Sequence, residues 1–167
     1  MPVFDIKLDN AKKIDAALSN LEKKVAKTAV RRGVRAGRKP TLAAARSNAK
    51  NMVGGQMGQK LSKNIVLRTT KRSALRVRDG YAMEVRLKSS GEGAPAEFVH
   101  VSAAGTRTYV PHAIEYGHVA PGQSGSGAKV AAPVPFLRNA HEQTEKQSLE
   151  IAEREIVNEI QKAWSGS

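Results

Sequence analysis

His112, Glu115 and His118 stand in the pattern H-x-x-E-x-x-H, the one cluster in this sequence whose residue types are those of a metal site. The zinc pattern H-E-x-x-H works because its two histidines lie one helical turn apart on one face. A six-residue separation does not do that. Read as a strand, period two puts His112 and His118 on one face and Glu115 on the other, so the three do not converge locally. The expectation is polar surface or interface residues and no metal.

Other catalytic constellations are as thin. No Gly-x-Ser-x-Gly elbow, phosphate-binding P-loop or Gly-x-Gly-x-x-Gly stands between a strand and a helix. The glycines around Gly125-Ser-Gly lack the following helix and lysine that a phosphate cradle needs. Glu142, Glu145, Glu150, Glu153, Glu155 and Glu159 crowd the C-terminal stretch with the spacing of a solvated helix face rather than of an acid/base pair. There is no cysteine, which excludes disulfides, thiol catalysis and Cys-ligated zinc. No catalytic residue and no cofactor is implied, and the chain is expected not to be an enzyme.

Charge carries more information. Among 167 residues the formal net charge is +13. Residues 1–80 hold 20 Lys+Arg against 5 Asp+Glu, whereas residues 81–167 hold 8 against 10. A basic half joined to a near-neutral half points to one polyanion-facing surface and other surfaces for protein contacts. Lys24, Lys27, Arg31, Arg35 and Arg38 fall within an arc of about 80° on a helix, so they form the polyanion-facing stripe. Phosphate contacts need only such cations. Base reading wants a rigid recognition helix, and RNA modules want aromatic platforms. Aromatic residues are 4% of the chain and scattered, so contact independent of base sequence is as far as the stripe goes. An acidic protein would satisfy it equally.

The elements that position these residues follow from periodicity. Asp9 or Asn10 can cap a helix opening at Ala11, with Ile14, Leu18, Leu21 and Val25 on its core face. Gly33, Gly37 and Pro40 predict a weakened or kinked helix there, with a second helical piece over 41–52. Val53-Gly-Gly-Gln-Met-Gly-Gln should end it. Residues 64–70 read as a strand, Lys71-Arg-Ser as a possible turn, and Leu75-Arg-Val-Arg alternates apolar with basic. Asp79-Gly80 then signals a hairpin into a strand over 81–87. Residues 89–95 read as a loop. Further strands are expected over 98–102 and 106–110, turning at Ala104-Gly105. Residues 119–133, rich in Gly, Ser and Pro, predict a long flexible loop. Pro135, with a fixed φ and no N–H, suits the first turn of a helix running to Trp164.

The expected fold class is α+β in a single domain, 1–167: a basic helical arm (1–53), a small antiparallel meander (62–118), the loop (119–133) and a C-terminal helix (135–164) packed on the sheet. The N-terminus has no apolar leader, and no run of about 18 apolar residues occurs. A cytoplasmic product without a membrane span is expected.

Three short motifs recur in a telling order: Gly58-Gln-Lys-Leu-Ser-Lys-Asn-Ile65 after basic helices, His112-Ala-Ile-Glu-Tyr-Gly-His118 after strands, and Pro135-Phe-Leu-Arg-Asn-Ala140 opening the last helix. The series resembles the minor tail components of long-tailed phages, the tail-completion and head–tail joining proteins. That family shows a Gly-x-Leu-x-x-Ser-Ile-like stretch, a strand ending in Glu-Phe-Gly-Thr, and Pro-Phe-Leu-Arg-Pro-Ala. Here Tyr116, His118 and Asn139 replace the usual Phe, Thr and Pro, and Gly58 lies one residue further from Leu61. The resemblance spans about Leu21 to Glu142. It implies a structural protein of the virion neck or tail, made in the host cytoplasm, acting as a commonly hexameric ring around the DNA channel. Its partners would be other neck and tail proteins, with non-specific contact to DNA and no membrane. Glu115, Tyr116, Gly117, Pro135, Phe136, Leu137 and Arg138 are the implied assembly residues. The alternative is a basic cytoplasmic nucleic-acid-binding protein, ribosomal or nucleoid-like.

Overall fold

The computed structural model describes residues 23–71, 75, 80–88, 94–119 and 130–165. The expected helix start at Asp9–Ala11, the core residues Ile14, Leu18 and Leu21, the alternating Arg76 and Arg78, Asp79 of the expected hairpin turn, most of the loop expected over 89–95 and most of the 119–133 segment lie outside them. The order of elements is α1 (Lys23–Asn48), a π-helical segment (Ala49–Val53), α2 (Gly55–Asn64), β1 (Ile65–Thr69), β2 (Met83–Leu87), a 3-10 turn (Ala96–Phe98), β3 (Val99–Val101), β4 (Arg107–Tyr109), α3 (Val110–Tyr116), β5 (His118–Val119), β6 (Val130–Ala131) and α4 (Phe136–Ser165). The fold is α+β and mostly helical. Two compact units emerge: one holds the described residues of Met1–Thr41, Leu67–Glu84 and Thr144–Ser167, the other those of Leu42–Val66 and Val85–Gln143.

In the first unit, the expected break in α1 does not occur. The helix runs through Gly33, Gly37 and Pro40 without interruption. Its buried face is made of small residues four apart: Ala29, Gly33, Gly37 and Thr41. Opposite lie Thr144, Ser148, Ala152 and Ile156 of α4, also four apart. A Cβ at Gly33 would stand 2.3 Å from Ile156 Cγ1, and one at Gly37 would stand 2.4 Å from the Ser148 carbonyl oxygen. The two backbones approach so closely that only glycine fits. The Thr41 hydroxyl, buried in the contact, lies 2.9 Å from the Thr144 hydroxyl and 3.1 Å from that of Ser148. A hydroxyl can donate to one and accept from the other, so the contact carries its polar groups satisfied. Residues that weaken an isolated helix are here the ones its partner requires, and tertiary packing overrides propensity. Arg32 and Lys162 both pair with Glu159 at the border of this contact.

The second unit holds the large side chains. Leu61, Ile65, Phe98 and Phe136 are fully buried, packed with Ala45, Ala49 and Ala140. Val85, Leu87 and Tyr109 flank them, so the first turns of α4 pack on strand residues as expected of an α+β layout. The Gly-rich stretch after Val53 differs in part from expectation. It ends the helical run at Val53, as expected, but also starts a new helix at Gly55. Gly54 and Gly55 adopt φ of +69° and +54° and reverse the chain, a conformation that costs glycine least. Then α2 folds back against the π segment, where a Cβ at Gly58 would lie 2.5 Å from the Ala49 carbonyl oxygen. Met57 and Leu61, four apart, give α2 its apolar face, and Ile65 continues the core at the start of β1.

Among the described residues the strands form three separate pairs, β1–β2, β3–β4 and β5–β6, instead of one meander. Bonds from Thr70 N–H to the Ala82 carbonyl (2.9 Å) and from Lys88 N–H to the Asn64 carbonyl (2.7 Å) close the two ends of β1–β2. In β3–β4, Val99 pairs with Tyr109 and Val101 with Arg107. The turn falls at Ala104-Gly105 as expected, with Gly105 at φ +78°.

Candidate functional site

The residues on which the resemblance rests meet in the second unit. The 112–118 stretch, read above as a strand, is a helix: Pro111 stands in the first turn of α3, where its missing N–H removes nothing, and Gly117 ends it at φ +78°. Helical geometry turns Glu115 inward, leaving it 5% exposed. His112 and Tyr116, one turn apart, share the outer face with ring centroids 4.6 Å apart. His118 follows in β5, pairing with Ala131 of β6, and Val119 pairs with Val130. A Cβ on Gly117 would lie 2.7 Å from the Ala131 carbonyl oxygen, so the close passage of these two segments also requires glycine.

The first amides of α4 are then fully accounted for. A helix leaves its first four N–H groups without internal partners. Pro135 has none to satisfy. Phe136 N–H donates to the Val134 carbonyl at 2.9 Å, and Asn139 N–H to the Pro135 carbonyl at 2.9 Å. The remaining two, Leu137 and Arg138, donate to the two carboxylate oxygens of Glu115, each at 3.0 Å. Glu115 thus caps a helix that starts twenty-one residues after it in sequence, and its negative charge sits at the positive end of the helix dipole. Val134 N–H to the Ile114 carbonyl, at 2.7 Å, ties the same two segments.

Of the seven residues assigned to assembly, Glu115 and Phe136 are buried inside this joint, while Gly117, Pro135 and Leu137 are half-buried. Tyr116 and Arg138 face outward, the guanidinium 5.8 Å from the Tyr116 ring centroid. With His112 they form a short row on the surface of the joint. Glu115 could not have been recognised as a cap from sequence, because its partner amides are brought to it by the β5–β6 pairing and the Val134–Ile114 bond.

The basic stripe lies on α1 in the first unit. Lys24 is in the first turn. Lys27, Arg31 and Arg35 are exposed, and among the described residues none has a carboxylate partner. Arg31 lies 5.8 Å from the centroid of the Tyr81 ring. Arg38 is half-buried, and that burial pushes its guanidinium below its ordinary pKa. Among the described residues Lys27, Arg31 and Arg35 of the stripe are therefore exposed without a carboxylate, and Arg38 is partly withdrawn. Among the described residues no group of three His, Cys, Asp or Glu is placed to hold a metal ion.

No protein-family model, curated protein or solved structure matches the chain. No helix among the described residues is long and apolar enough to cross a membrane.

Proposed function

We propose that this chain is a structural component of a phage neck or tail, completing the tail or joining it to the head as a subunit of a ring around the DNA channel. One observation carries the reading: the Glu115 carboxylate holds the Leu137 and Arg138 amides, so the two motifs most responsible for the resemblance are halves of one joint. A family whose short motifs recur in fixed order needs a physical reason for keeping both, and a cap shared between them is such a reason. The exposed cations Lys27, Arg31 and Arg35 suit a surface that passes DNA without reading it. The role is non-catalytic, and its partners are other neck and tail proteins and further copies of the chain. Electron microscopy of particles made without this protein tests it. Heads and tails that fail to join, or tails with unfinished ends, are expected; normally joined particles would overturn the reading.

The exposed stripe also favours a second reading, a nucleic-acid-binding protein of the cytoplasm. It requires tight binding, whereas a channel subunit needs only weak contact.

A further inference from the structure

A cleft of the second unit carries a cluster that neither the stripe nor the joint uses. It is lined by Arg46, Lys50, Gly55, Gln59, Ser62 and Lys63 and has a volume of about 600 Å³. Arg46 and Lys50 lie one turn apart where α1 passes into the π segment. Gln59, Ser62 and Lys63 share one face of α2, which folds back beside them. We infer that this cleft binds a phosphate group.

Three observations converge on it. Among the described residues the lining holds three cations and no carboxylate, and a site of this kind collects anions. The Arg46 guanidinium is already oriented: its Nε–H and one Nη2–H donate to the Ile65 carbonyl at 3.2 and 2.9 Å. Three of its five N–H groups remain for a ligand, and a fixed fork loses less freedom on binding than a loose one. Ser62 also lines the cleft and brings a hydroxyl, a group that can donate to an oxyanion. The start of α2, whose first amides open beside Gly55, adds its dipole. A phosphate group, with its several acceptor oxygens and its charge, is the ligand such donors suit. Its source is a free phosphate or phosphate monoester, or a phosphodiester of nucleic acid. The inference stands whether or not the chain belongs to a virion.

Amide chemical shifts of the full-length chain test it, with inorganic phosphate titrated at constant ionic strength against chloride. The amides of Gly55, Gln59, Ser62 and Lys63 should move to saturation with phosphate alone. The double variant Lys50→Gln/Lys63→Gln removes two exposed charges without touching the core and should weaken the apparent affinity about tenfold. Ser62→Ala should weaken it about threefold. A twelve-base-pair duplex, tested in a Lys27→Glu/Arg31→Glu/Arg35→Glu background that silences the stripe, separates the sources. A phosphodiester source predicts that the duplex moves the same amides at lower concentration than phosphate does. A free phosphate source predicts that phosphate moves them and the duplex does not. Shifts that rise alike with chloride, a Lys50/Lys63 variant indistinguishable from wild type, or amides unmoved by either probe would overturn the inference.

Discussion

Replacing Glu115 by Ala leaves the Leu137 and Arg138 amides without acceptors in a buried place. Two orphaned donors at about 1–3 kcal/mol each, partly relieved by water, predict a loss of about 2–4 kcal/mol. Glu115→Gln keeps one acceptor and removes the charge, and should cost about 1 kcal/mol. Urea midpoints of the two variants measure this, and equal losses would mean that charge, not geometry, makes the cap. At this scale the sequence was legible in residue choice but not in role. Pro135 announced a helix start through its fixed φ and absent N–H. Glu115 announced nothing, since a capping carboxylate is recognisable only with its helix alongside, and that helix comes after a further strand pair.

Elements were legible where large apolar side chains mark a face or a turn type is specified, as at β3–β4 with Gly105 and along α4. They were illegible where the contact is made by the absence of a side chain. Ala29, Gly33 and Gly37 contribute little to any hydrophobic pattern, so α1 reads as breaking at the point where it is held most tightly. Gly37→Ala tests that reversal. Alanine favours a helix over glycine by about 1 kcal/mol, yet its Cβ would stand 2.4 Å from the Ser148 carbonyl oxygen. Because backbone must move, overpacking of about 1–3 kcal/mol should prevail and the variant should be less stable. A higher melting temperature would show that the helices can separate without loss. The ion pairs beside this contact give it a pH dependence. The Lys162 hydrogen bond, with the hydrogen bond and charge of Arg32, holds the Glu159 carboxyl below its usual pKa against the opposing effect of burial. A carboxylate depressed by folding contributes its stability above its unfolded pKa and loses it as pH falls through the folded value. Wild type and Glu159→Gln should therefore differ in stability at neutral pH and converge in acid below the ordinary glutamate range, as thermal melts across pH would record.

For the whole molecule the outstanding property is the division of charge along the chain, with 20 of 28 Lys and Arg in residues 1–80. Bulk charge predicts contact with a polyanion but not its strength, which depends on how many cations remain uncommitted. Arg32 is paired with Glu159 and Arg38 is half-buried, so the described part of the stripe offers Lys27, Arg31 and Arg35. Three phosphate contacts contribute a slope of log K against log salt of about −2.7, and Lys27→Glu/Arg31→Glu/Arg35→Glu should reduce the measured slope by about that amount. Gel shifts across a salt series measure the slope. A value near that of a dedicated DNA-binding protein, with about 6–10 contacts, would favour the nucleic-acid-binding reading instead.

The small-residue contact between α1 and α4 has one more consequence, in heat rather than in distance. Gly and Ala surrender no rotamer freedom on burial, and they withdraw little apolar area from water. The heat capacity of unfolding grows with that area. Stability drawn from the Gly33–Gly37 contact should thus change little with temperature, whereas stability drawn from Phe98, Phe136, Leu61 and Ile65 should weaken on cooling. In the cold, the cluster of large side chains loses its advantage first, and the glycine contact keeps its own.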